Sequence, residues 1–173
     1  MLNVINEPVK FLYLLSGASL ALLLGAYGFE FLGGLAPCKL CYYQRIPHGA
    51  AVVLGAITLV WPARCRELLA LVLMVYAISA GLGAYHAGIE WHWWPGPASC
   101  SATGGWGDAG ATVEELMAQL SAAPVVRCDA APWTLFGLSL AGYNTLISFG
   151  LLALSAYGLK QTTGRKGFPD VFS

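Results

Sequence analysis

Charge is scarce in this chain: only 10% of its 173 residues are Asp, Glu, Lys or Arg, less than half the share of an average soluble domain. Nine cations balance nine acids. With no basic excess and no acidic tail, a nucleic-acid partner is not expected. Also missing are a solenoid-length repeat, a C-x-x-C-H haem signature, a glycine-rich dinucleotide fingerprint and the second C-x-x-C half of a four-thiolate zinc site. No metal is assigned.

In place of charge there is oil. The chain is 57% hydrophobic with a mean hydropathy of +0.64, the composition of an integral membrane protein. Residues 11–35, 46–61, 68–85 and 135–159 are candidate spans, each near the ~20 apolar residues that a bilayer crossing needs. The second is the shortest and borrows length from Tyr42 and Tyr43 at the interface. The first lacks the basic start, short apolar core and small-residue cleavage site of a signal peptide, so it is read as retained. Lys10, Arg64, Arg66, Lys160, Arg165 and Lys166 fall on one side of the membrane, and only Lys39, Arg45 and Arg127 on the other. That bias puts both termini in the cytoplasm and turns loops 36–45 and 87–134 outward.

The expected fold is an all-α membrane protein, a four-transmembrane-helix bundle forming one domain over residues 1–173. Its long outer loop carries one short helix, because Thr112 and Glu115 form a capping box and Val113, Leu116, Met117 and Leu120 share a face. Lying on the membrane surface and packing on its own loop both satisfy that pattern.

Five cysteines remain to be explained: Cys38, Cys41, Cys65, Cys100 and Cys128. Cys65 faces the reducing cytoplasm and is expected to stay a free thiol without a role, whereas the four outer cysteines suit two disulfides, with three pairings open. A Cys38 to Cys41 ring is too short to restrain much of the unfolded chain, so redox use explains it better than stapling. Cys100 with Cys128 would close a stabilising loop, yet both sit in polar, glycine-rich sequence that suits a bond opened by a partner.

If the chain turns helical after Pro37, then Cys38, Cys41 and Arg45 share a face. The guanidinium and the positive helix end would both favour a thiolate at Cys41. Arg45 reads as a donor to the carbonyl of a lipid-soluble electron acceptor, with a headgroup anchor as the alternative, and Pro47 behind it should kink or restart the helix. With haem, dinucleotide and iron–sulfur motifs missing, a membrane quinone is the acceptor left, and it takes the two electrons of one dithiol.

Three segments, "PCKLCYYQR" at 37–45, "AYHAGIEWHWWPGPASC" at 84–100 and "RCDAAPWTLFGLSLAGYN" at 127–144, make the sequence resemble the disulfide bond formation protein B family over nearly its whole length. The resemblance implies a quinone-dependent thiol oxidase of the bacterial inner membrane. Its cofactor would be ubiquinone or menaquinone, and its partner a periplasmic thioredoxin-fold (DsbA-like) oxidase that it recharges. Cys38 and Cys41 match the quinone-linked pair, with Cys41 against the ring, and Arg45 matches the arginine that helps hold it. Cys100 and Cys128 match the pair that exchanges with the partner, through Cys100. His86 matches a histidine at the outer end of the third span, and reads also as an interfacial, hydrogen-bonded residue. Gln44 departs from members with an acidic residue there. Two other readings use similar parts: an enzyme of the vitamin K epoxide reductase type, whose C-x-x-C is expected late in the chain, and a non-enzymatic scaffold with structural disulfides.

Overall fold

The computed structural model describes residues 7–97, 112–114 and 126–164. Four long helices account for most of them: α1 (Glu7–Phe31), α2 (Lys39–Val60), α3 (Cys65–Glu90) and α4 (Leu140–Gly164), with a 3-10 turn at Pro62–Arg64. Three of these, α1, α3 and α4, are long and apolar enough to cross a membrane. The fourth, α2, carries Lys39, Gln44, Arg45 and His48 in its first half, which shortens its apolar stretch. Its 22 residues still reach about 33 Å at 1.5 Å per residue.

α2 and α3 overrun the expected spans at their outer ends, α2 starting at Lys39 instead of 46 and α3 continuing past Tyr85 to Glu90, whereas α1 stops at Phe31, short of the expected 35. Residues 39–45, expected as loop, are the first turns of α2. Polar side chains there do not oppose helix formation, because a helix closes its own backbone bonds and their side chains find partners within the protein. α4 starts at Leu140 because the residues before it form a hairpin, Thr134–Leu135 against Leu138–Ser139. Its two-residue turn puts both Phe136 (φ 50°) and Gly137 (φ 78°) in the left-handed region, as a type I′ turn requires. Of the outer-loop helix expected at 112–120, only residues 112–114 are described, and Val113 and Glu114 are helical. Glu115, Leu116, Met117, Leu120 and Cys100 lie outside the described residues.

α3 packs most extensively on α4, and α2 lies between α1 and α3. Leu12 and Leu15 of α1, Ala51 of α2, Leu69, Val72 and Tyr76 of α3, and Leu151 of α4 form one apolar core. Leu14, Leu24, Val53, Leu59, Met74 and Ile78 face outward, as side chains against lipid should. Pro47 sits buried inside α2, and the helix runs through it without a break. Membrane helices tolerate such a proline where neighbouring helices shield the freed backbone group.

Between the helices runs a seam of buried polar side chains. Ser19 Oγ lies 2.8 Å from Tyr76 Oη and 3.2 Å from His48 Nδ1, and Ser79 Oγ lies 2.9 Å from Ser148 Oγ. The Tyr76 hydroxyl also donates to the Leu15 carbonyl at 2.8 Å, so α1, α2, α3 and α4 are all tied at this depth. Small residues allow the approach: a Cβ built on Gly55 would fall 1.8 Å from Ser16 Oγ, and Ser16 itself donates to the Ala51 carbonyl at 2.9 Å. Gly55→Val is therefore expected to push α1 from α2 and cost about 1–3 kcal/mol. Thermal unfolding in detergent reads the loss, and a melting temperature equal to the parent's would contradict this contact.

Candidate redox site

At its outer end α2 begins on sulfur. Cys38 is the N-cap, with an extended backbone, and its Sγ accepts the Cys41 N–H at 3.3 Å, as a serine oxygen commonly does at such a position. Pro37 thus lies one residue ahead of the cap. The two sulfurs are 3.0 Å apart and both thiols are free. From α3, His86 brings Nε2 to 3.5 Å from Cys38 Sγ. Cys128, disulfide-bonded and 2% exposed, packs with Cys38, Leu40 and Ile89 in a small cluster edged by Cys41 and Val126. Two of the four outer cysteines are thus paired in sequence, and a third is brought beside them by the fold. Cys100 is outside the described residues, and Cys65 is buried and free at the start of α3.

The S–H of Cys41, pointed at Cys38, holds the Cys38 thiol well below the usual range against the opposing effect of burial, and the His86 contact adds to it. The helix N-terminus acts in the same direction. Sequence reasoning aimed the guanidinium of Arg45 at Cys41, whereas the structure commits it to α1. Its Nη1 donates to Glu30 Oε2, its Nη2 lies 3.4 Å from the Ala26 carbonyl, and its carbon stacks 4.6 Å from the Tyr27 ring centre and 5.1 Å from that of Tyr42. The Tyr42 hydroxyl donates to the other Glu30 oxygen at 3.2 Å. Near Cys128, Arg127 is also neutralised, forked onto Asp129 at 2.8 and 2.5 Å, and the guanidinium holds that carboxyl below its ordinary value.

The dithiol stands between two cavities. One, about 370 Å³, opens among α1, α2 and α4; it is mostly apolar, and Cys41, Gln44, Arg45, His48 and Asn144 line it. Phe29, Trp133 and Tyr143 form an aromatic group on the same cavity, with ring centres 5.2 and 6.4 Å from Trp133. The other, about 360 Å³, lies under residues 126–132 and is lined by Cys38, Cys41, His86 and Arg127. Cys41 and His86 border both. The first has the size and character of a small-molecule pocket, apolar walls with a few convergent polar groups, and so fits a quinone head. Cys38, Cys41 and His86 also bring ligand atoms within 4.8 Å of one another, a soft donor set that a thiophilic cation would accept.

Several residues here were not singled out from sequence as site residues. Gln44 and His48 follow Cys41 at three and seven positions, the spacing of one helix face, and Glu90 follows His86 by four. Glu90 lies 3.9 Å from His86 Nε2 and accepts the Ser139 hydroxyl, whose oxygen in turn caps α4 by accepting the Gly142 N–H at 3.0 Å. Asn144 had no local signal, since its partner Gln44 is 100 residues away.

Comparison with known proteins bears on the whole site. The family model for disulfide bond formation protein DsbB matches residues 9–158, so the chain belongs to that family. It is 30% identical to disulfide bond formation protein B of Verminephrobacter eiseniae over 95% of each chain. It is also 25% identical to an uncharacterized protein of Rickettsia prowazekii over 73% of each. No solved structure matches.

In the reduced protein the lowered Cys38 value makes thiolate present at neutral pH, lost only on acidification through that value. By linkage, its contribution to reduced-state stability is full above the unfolded thiol's ~8.5 and disappears as pH falls through the folded value. Ultraviolet thiolate absorbance of the reduced protein should accordingly persist well under pH 8.5; a single midpoint at the ordinary thiol value would refute the geometry.

Proposed function

We propose that this DsbB-family membrane enzyme works through Cys38 and Cys41 on the quinone side and through Cys100 and Cys128 on the side of its soluble partner. The activity is quinone-linked disulfide formation: a periplasmic, DsbA-like thioredoxin-fold dithiol is reoxidised, and its electrons pass to membrane quinone. The protein is a multi-pass inner-membrane protein. The observation that carries the site assignment is the place of the dithiol between an apolar cavity and a second cavity that lies under the Cys128 segment.

Bound in the apolar cavity, the quinone supplies an acceptor for two electrons and two protons, which match one dithiol going to one disulfide. The chain's own residues do the rest. The partner's thiolate attacks the disulfide that holds Cys128, and exchange carries the reducing equivalents to Cys38 and Cys41, each step proceeding by thiolate attack on sulfur. Burial of Cys128 against Cys38 supports direct exchange between the two pairs. His86 stands where it can hold the proton released from Cys38. Arg45, fixed by Glu30 and two tyrosine rings, presents positive charge to the cavity, where it would stabilise negative charge on a bound carbonyl oxygen.

Orientation follows the charge bias: six Lys and Arg residues on the side of the termini against three on the side of the dithiol put both termini in the cytoplasm. The long outer loop, with its short amphipathic helix, then lies in the periplasm, and residues 1–173 act as one membrane domain.

Purified protein with a reduced dithiol donor and ubiquinone tests the assignment through quinol formation. Cys41→Ser should abolish it, while Arg45→Ala should raise the apparent KM for quinone roughly tenfold or more, the worth of a charge-assisted hydrogen bond. Unchanged kinetics in both would remove these residues from the reaction.

A further inference from the structure

A para-quinone carries its two carbonyl oxygens at opposite ends of the ring, and Arg45 answers only one of them. That side chain stands toward α1, where Glu30 and the Ala26 carbonyl hold it. With no donor at the other end, the second oxygen would gain electrons against apolar walls, where new charge is expensive.

The α4 wall brings a second donor. Asn144 lines the apolar cavity and is half-buried. Its amide is pinned at both polar atoms: Oδ1 lies 2.9 Å from His48 Nε2, and Nδ2 donates to Gln44 Oε1 at 2.7 Å. A primary amide nitrogen carries two N–H groups. Gln44 takes one, and among the described residues the other has no acceptor. Because an amide is planar, holding the oxygen and one N–H also sets the direction of the second.

The other polar groups on this cavity are already engaged or are placed elsewhere. His48 meets Ser19 and Asn144, His86 meets Gln44 and Cys38, and the Tyr143 hydroxyl donates to the Leu135 carbonyl. Gln44 keeps a spare N–H, but it is buried and follows the same helix as Arg45, one residue away. The Trp133 indole belongs to the segment ahead of the hairpin, with its ring packed near Phe29 and Tyr143.

We propose that Asn144 is a quinone-binding residue, whose spare Nδ2–H donates to the carbonyl oxygen para to the one that Arg45 faces, while His48 and Gln44 hold the amide in place. This rests on the reading of the apolar cavity as the quinone site and deepens it. A donor fixed on both sides loses little freedom when the ligand arrives. The two ends of the ring are then treated differently: a guanidinium stabilises developing negative charge more than a neutral amide does, so the Arg45 end takes the larger share. A ligand with a single carbonyl can use only one of the two donors, which makes the site selective for para-quinones.

The test is infrared difference spectroscopy of ubiquinone bound to oxidised, full-length protein in detergent, with carbon-13 placed at one ring carbonyl or the other so that each band is assigned. No dithiol is present in that state, so the bands report contacts and not turnover. Expected in the parent are two carbonyl bands, both below their positions in alkane. Asn144→Leu should return one band to its alkane position and leave the other, and Arg45→Ala should do the reverse. Quinone affinity by equilibrium titration should fall roughly two- to tenfold in Asn144→Leu, the contribution of a neutral hydrogen bond.

Thermal unfolding identifies folded variants. Where Asn144→Leu does not fold, Asn144→Ser replaces it with the same expectation, since a serine hydroxyl falls short of the ring and can bond back to its own helix, as the Thr145 hydroxyl does to the Ala141 carbonyl at 2.8 Å. Bands that both move or both stay in the folded variant would overturn the proposal, because packing alone gives no selective release. So would release of that band by Trp133→Phe with Asn144→Leu silent. A parent that binds no ubiquinone would instead overturn the cavity's assignment, a result distinct from a bound quinone with unmoved bands.

Discussion

In the interior of a bilayer a polar group has no water to turn to, and every hydrogen bond it makes must come from the protein. That constraint organises this bundle. Ser19, His48, Tyr76, Ser79, Ser148, Gln44, His86 and Asn144 are spread over four helices, and each finds a partner on another helix. Among the described residues no buried side-chain nitrogen or oxygen lacks a hydrogen-bond partner. Apolar packing holds the helices together but says little about their rotation, since lipid tails are as oily as leucine. The paired polar groups settle which faces meet, and the stripe of α2 that carries Cys41, Gln44, Arg45 and His48 is turned inward as a result.

The same requirement shapes the outer end. Arg45 would be costly at the edge of a span, yet Glu30, the Ala26 carbonyl and two tyrosine rings surround it. Serine at position 139 both caps α4 and binds Glu90, which stands beside His86. Arg45 and Glu90 are thus each answered by a specific neighbour, and the electrostatics at sulfur come from short, directed contacts: a thiol, an imidazole and the start of a helix.

Much of this could be read from the chain before any coordinates. Long apolar runs with few charges announce membrane helices, and a C-x-x-C followed by arginine announces redox chemistry at their edge. The helix ends were harder, because Lys39, Gln44 and Arg45 look like loop residues to a hydropathy window, although they wind into α2. Harder again was the direction of Arg45: spacing places it on the face of Cys41 but cannot show that Glu30 on another helix takes hold of it. Asn144 was invisible as a partner, being 100 residues from Gln44, a pairing that only the helix arrangement creates. The positive-φ pair Phe136 and Gly137, which delays the start of α4, also escaped the apolar-run reading.

The two cavities that meet at Cys41 and His86 have a wider meaning. A hydrophobic carrier and a water-soluble protein share no common phase, and an opening large enough for both would leak. Here a shared wall that includes Cys41 and His86 lies between them, with sulfur lining each side, so reducing power can change solvent while neither reactant leaves its own.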